Sequence, residues 1–308
     1  MKHIKLLYLF LLISWSSLPL QAADYLLQSP NGKLTVEIET KGQLSYTLKH
    51  NSQTLLDKSP IGLLLEDKIL GEDIKISRIK RNSSVKEHIV SPHYRLPSFE
   101  VTYNELNLKF KGNYGIIFRA YNEGIAYRFY TTMKGPLIIK DEMVQMNFPE
   151  DYPTFMSYST MPTGEDQYAM AFQNLYTKSS IKGVDTNNIA FLPITIDCGN
   201  ELKMTLLESD LEDYPGMFIK GDGKNTSLQG TFAHYPSEIK NFPPRAMKRI
   251  TKRTDYIART TGERNYPWRI WAITEKDTEM PVNNLVYALA SPNRIGDCSW
   301  IKTGKVAW

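Results

Sequence analysis

Leu34-Thr35-Val36-Glu37-Ile38 alternates apolar with polar side chains, and after a turn at Gly42 the alternation resumes at Leu44, Tyr46 and Leu48. A period of two is that of a strand with one face in the core, and two such runs joined through a glycine turn read as an antiparallel pair. The pattern recurs along the chain. Ile74, Ile76 and Ile79 lead through Asn82-Ser83-Ser84 towards Val85, and Phe99, Val101 and Tyr103 alternate again. Ile117 with Arg119 and Tyr127 with Phe129 continue it, followed by the runs Ile189–Ile196, Leu202–Leu206, Ile250–Ile257 and Ile270–Ile273. Many short strands punctuated by turn residues predict an all-β fold of packed antiparallel sheets. One stretch departs from the rhythm. Val282, Leu285, Val286 and Leu289 stand at helical spacing between Pro281 and Pro292, which predicts a short helix just before the C-terminal segment.

The first residues have the form of a secretory signal peptide. Lys2 and Lys5 precede the apolar run Leu6–Trp15, then come Ser16, Ser17 and Pro19, and Leu20-Gln21-Ala22 ends in a small residue. The expected cut follows Ala22, giving a signal peptide at 1–22 and a periplasmic or secreted product. About 20 apolar residues are needed for a spanning helix, so no membrane span is expected after signal removal. Of 37 basic and 33 acidic residues, the signal holds two lysines. The mature balance is therefore near neutral and gives no electrostatic case for nucleic acid. Cys198 and Cys298 are the two cysteines. An oxidising compartment would permit a bridge, but sequence leaves open whether they meet.

Five stretches together resemble the N-terminal domain of glycoside hydrolase family 97: Ser29-Pro30-Asn31-Gly32-Lys33-Leu34, Gly124-Ile125-Ala126-Tyr127-Arg128-Phe129, Glu208-Ser209-Asp210-Leu211-Glu212-Asp213-Tyr214-Pro215-Gly216-Met217, Tyr266-Pro267-Trp268-Arg269, and Asp297 to Trp308. Their order and separation over the mature chain carry the resemblance. Cys298 and Thr303 depart from it, since the family tends to have another residue at the first and proline at the second. The resemblance implies a large two-sheet antiparallel super-sandwich like that of galactose mutarotases at 23–291, a linker at 292–308, and then a (β/α)8 barrel. It also implies an exo-acting α-glycosidase, of α-glucosidase or α-galactosidase type, with calcium at the active site and an α-linked oligosaccharide as substrate. The catalytic carboxyl groups would come from the barrel, in cis or in trans, so no catalytic residue is assigned here and this chain alone is expected to be inactive.

The resemblance further implies that the sandwich lends the barrel one calcium ligand, and Glu208 is the matching position. It ends the run Leu202–Leu207, where a carboxylate can project away from its own core. Calcium takes six to eight oxygens, and one Glu supplies at most two of them. Tyr214, Gly216 and Met217 are the expected sugar-facing rim. By local sequence alone, the same acidic run also reads as a solvated turn and Pro215-Gly216 as an ordinary tight turn. Arg128 and Arg269, beside aromatic residues in strand-like runs, are expected to stack or form ion pairs. The basic run Arg245, Lys248, Arg249, Lys252 and Arg253 reads as an exposed sheet face or interdomain contact. His88 and His93, separated by Pro92, do not share a helix face, and His50 and His234 show no partner motif. A free-standing carbohydrate-binding module is the alternative function, with a mutarotase-like isomerase third.

Overall fold

The computed structural model describes residues 24–91, 94–159, 166–169, 173–223, 225–243, 247–302 and 304–305. The signal-peptide reading, His93, Arg245 and Thr303 lie outside these residues. The first strands are β1 (Tyr25–Gln28), β2 (Leu34–Glu39), β3 (Ser45–His50), β4 (Gln53–Leu65), β5 (Ile69–Leu70) and β6 (Ile76–Val90). Next come β7 (Ser98–Phe110), β8 (Tyr114–Tyr121), β9 (Gly124–Asn147), β10 (Pro153–Tyr158), β11 (Thr177–Ser180) and β12 (Ala190–Asp197). The rest are β13 (Lys203–Ser209), β14 (Met217–Gly221), β15 (Ser227–Phe232), β16 (Pro236–Phe242), β17 (Met247–Arg253), β18 (Ala258–Asn265) and β19 (Trp268–Thr274). A short α-helix, α1 (Leu285–Leu289), follows. All these strand pairings are antiparallel, as the alternation predicts.

Strands β1 to β4 form a meander, and β4 then crosses into the larger sheet, where its second half pairs with β5 and β9. Within that sheet β9 is the spine: its 24 residues pair in turn with β8, β19, β18, β4 and β15. Leu34, Val36 and Ile38, the residues that open the alternation, are fully buried. They share one core with Phe118, Tyr127, Met204, Leu206 and Trp271 of the larger sheet. Tyr46 joins the layers: its ring packs on Phe118 and Tyr127, and its hydroxyl accepts a 3.0 Å hydrogen bond from Trp271 Nε1. A buried indole N–H needs such a partner.

The other face of β19 carries a second apolar cluster, in which Trp268, Ile270 and Ala272 pack with Leu285, Ala288 and Leu289 of α1. The predicted helix is thus real but only five residues long, because Val282 belongs to a preceding 3-10 turn, Asp277–Val282, and is 48% exposed. Gly124, at the turn into β9, makes this packing possible. Its φ is +155°, and a Cβ there would sit 2.3 Å from the Trp271 carbonyl oxygen and 2.6 Å from Leu285.

Two expected strands are altered. The run from Ile250 belongs to β17, which stops at Arg253, and β17 pairs with β16 in a two-stranded ribbon of its own. In β6 the alternation meets solvent on both faces for much of its length, and Ile79 is 45% exposed. Cys198 and Cys298 are both free, the first buried. Burial pushes the Cys198 thiol up to about 12. Among the described residues no helix is long and apolar enough to cross a membrane.

Candidate functional site

Glu208 lies one residue from the end of β13, directly opposite Arg269 of β19 in the antiparallel register. Cross-strand partners share a face, and the two side chains meet: Arg269 Nη1 donates to Glu208 Oε2 at 2.6 Å. The rest of the guanidinium is already committed. Its Nε and Nη2 donate to the two oxygens of Glu142 on β9, at 2.9 and 2.6 Å. This is the parallel two-bond fork that arginine makes with a carboxylate. The Arg269 side chain is 1% exposed, Glu142 4% and Glu208 14%, so the cluster runs from the core to the edge of the sheet. Two carboxylates share one guanidinium, leaving one net negative charge. Burial raises the Glu208 carboxyl above its usual range, against the pull of Arg269 and the Met217 N–H. Burial also works against the charge on Arg269, but the Glu142 and Glu208 carboxylates together outweigh it and hold the guanidinium firmly protonated.

The loop after β13 supplies the remaining contacts. The Met217 N–H donates to Glu208 Oε2 at 3.0 Å and less closely to Oε1 at 3.3 Å. Asp210 and Glu212 both take positive φ, +62° and +46°, a conformation that short polar Asp tolerates and Glu seldom adopts. The turn aims Asp210 inward. Its Oδ2 accepts from Arg128 Nη2 and its Oδ1 from the Ser291 N–H, each at 3.0 Å. Ser209 Oγ donates to the Val286 carbonyl at 2.6 Å. The loop therefore holds both α1 and the segment that leaves it. Beside it lies an open cleft of about 650 Å³ whose lining includes Arg128, Asp210, Glu212, Asp213, Arg264 and Arg294. These charges are paired: Asp213 with Arg264 at 2.9 Å and Glu212 with Arg294 at 3.0 Å.

Tyr214 and Met217, expected at a sugar-facing rim, turn their side chains into the core. Tyr214 is 6% exposed and packs edge-on against Phe232 and Tyr266, while Met217 is 2% exposed in the main core. The Pro215-Gly216 turn folds the aromatic ring inward, where it gains apolar burial. Gly216 meets Glu208 instead: a Cβ at this position would stand 3.2 Å from Glu208 Oε1.

For calcium, the donor set fits in part. Oε2 of Glu208 is occupied by Arg269 and Met217, whereas Oε1 has only the long Met217 contact and keeps a lone pair for a cation. Among the described residues, no group of three or more His, Cys, Asp or Glu is gathered as a metal would require. One carboxylate oxygen cannot replace the hydration shell of calcium, so retention needs further donors beyond those residues.

Other residues fall where their chemistry suggests. Arg128, packed over the Trp268 ring at 4.9 Å, and Arg269 form the ion pairs expected of them. Lys248, Arg249 and Lys252 are exposed on the ribbon, and Arg253 is fastened to Asp166 at 2.7 Å. His88 is exposed and pairs with Glu100. The sequence reading missed two carboxylates. His50 does have a partner, Glu275 at 2.9 Å, which it shares with Lys33. Glu142 was missed as well, because it ends the charged run Lys140-Asp141-Glu142, whose local form is that of a solvated stretch.

Comparison with known proteins places this arrangement. The family model described as Glycosyl-hydrolase 97 N-terminal matches residues 27–292. A retaining alpha-galactosidase of Bacteroides thetaiotaomicron is 36% identical over 312 residues, covering 99% of this chain and 47% of that protein. The chain thus spans about half the length of the curated relative it matches. Among solved structures, a glycoside hydrolase family 97 enzyme in complex with acarbose, from Pseudoalteromonas sp. strain K8, superposes with a TM-score of 0.72 at 19% identity, over 90% of this chain and 40% of that one. A beta-arabinopyranosidase gives 0.64 at 16% identity, over 82% and 40%. At these identities the likeness is one of fold.

Proposed function

Because the chain belongs to glycoside hydrolase family 97 and contains its N-terminal domain, we propose that it serves an exported, exo-acting α-glycosidase as the sandwich beside a (β/α)8 barrel. The 36% identity to a retaining alpha-galactosidase favours an α-galactoside over an α-glucoside as substrate. The observation that carries the reading is Glu208: a carboxylate at a strand end, next to the point where the chain leaves the domain, with one oxygen tied down and the other open.

In this reading Glu208 contributes Oε1 to a calcium ion whose other ligands lie on the barrel. Bound there, calcium would supply positive charge to polarise and orient the sugar. Arg269 and the Met217 N–H hold the carboxylate in place, and the α1 contacts fix where the chain departs towards the barrel. Glycoside hydrolysis ordinarily uses two carboxyl groups flanking the scissile bond, and the barrel would provide them. The test uses the protein carrying its barrel, with aryl α-galactosides and α-glucosides as substrates and Glu208→Gln as the variant. Galactoside turnover that falls together with calcium affinity, at an unchanged melting temperature, supports the proposal. Wild-type affinity and turnover in Glu208→Gln would sink it.

A further inference from the structure

Resting on the reading of Glu208 as a metal ligand, we infer that Arg269, Glu142 and Gly216 are positioning residues that hold Glu208 with one carboxylate oxygen facing inward and the other free. Glu142 is the fixed point, buried on the spine strand β9. Its two oxygens take Nε and Nη2 of Arg269 and so set the plane of the guanidinium. Only Nη1 remains on the side facing β13, and it meets Glu208 Oε2. The Met217 N–H binds the same oxygen and so sets the rotation of the carboxylate. Phe232, whose ring lies 5.1 Å from the guanidinium carbon, covers the cluster with apolar surface.

Gly216 completes the seat by leaving space. Its φ is not in the left-handed region, so an alanine could adopt its backbone conformation. The contact that a Cβ would make there is with Glu208 Oε1, at 3.2 Å. The glycine therefore keeps clear the one oxygen that Arg269 does not use.

The arrangement does two things for a cation. It removes the rotamer entropy that a free glutamate would lose on binding. It also concentrates the unbalanced negative charge of the cluster at its most exposed carboxylate, because Glu142 takes two N–H groups of the guanidinium and Glu208 only one of them. Lysine at 269 would keep the charge but lose the planar fork, so Glu208 would no longer be held in one orientation. We expect about a tenfold loss of calcium affinity, which corresponds to about 1.4 kcal/mol.

The experiment measures calcium binding directly, by terbium luminescence with calcium competition, on the barrel-containing protein and its Glu208→Gln, Arg269→Lys and Gly216→Ala variants. Each melting temperature is recorded alongside. The expected result is strong loss for Glu208→Gln, about tenfold weakening for Arg269→Lys, and severalfold weakening for Gly216→Ala with no change in melting. If Arg269→Lys fails to fold, Gly216→Ala decides. Wild-type affinity in the positioning variants, with loss confined to Glu208→Gln, overturns the positioning role and leaves the ligand reading intact. Wild-type affinity in all three overturns both.

Discussion

The acidic segment from the end of β13 into the loop after it has two halves with the same chemistry and different depths. Glu208 and Asp210 are 14% and 9% exposed, whereas Glu212 and Asp213 are 45% and 76% exposed. All four meet an arginine within about 3 Å. The difference teaches that the pairing itself does not measure its consequence. An exposed pair loses little when broken, because water takes over both ions, while a buried ion without its partner has nothing to replace it.

The sharpest way to break this comparison is Arg269→Met. It strands Glu142 and Glu208 in the sheet, and urea titration at neutral pH should find the domain about 3–5 kcal/mol less stable. Replacing all three charges together, as Glu142→Leu, Arg269→Met and Glu208→Leu, should recover most of that loss, since a buried ion cluster is often matched by apolar residues of similar volume. A loss below about 1 kcal/mol in the single variant would mean that the cluster is not desolvated, contrary to its depth in the structure.

A middle effect is expected at Asp210→Ala. It leaves Nη2 of the buried Arg128 and the Ser291 N–H without Asp210 as acceptor, for a loss of about 2 kcal/mol. Hydrogen exchange should speed up at the Ser291 amide if Asp210 holds the segment after α1, and unchanged protection there would argue against that role. The smallest effect belongs to the outer half. Arg294→Ala should change stability by less than about 0.5 kcal/mol and lose even that in high salt. A larger change would show that the cleft pairs are more than surface contacts.

The same contrast in depth explains what the sequence disclosed. Alternation in Leu34–Ile38 and Leu44–Leu48 was readable because a half-buried strand writes its burial locally, one residue in two. Glu208 was readable as a strand-end carboxylate for the same reason. The direction of Tyr214 and Met217 was not, because a Pro-Gly turn has the same local form whether its neighbours point in or out. Phe232, at the end of β15, and Tyr266, between β18 and β19, receive Tyr214 from further along the chain. Arg269 looked like an ion-pair former, but its partners lie 127 and 61 residues away, and no local spacing joins them.

Those separations also impose an order on synthesis. β9 is translated well before β18 and β19, two of the strands that pair along it. Glu142 and Glu208 likewise leave the ribosome ahead of Arg269, the guanidinium that they share. A nascent chain stopped short of Arg269 would have to bury two uncompensated carboxylates and leave much of its central strand unpaired. The domain therefore has little to gain by folding piecemeal. β19, the last strand, pairs with both β13 and β9, and its closure converts an open collection of hairpins into one protein.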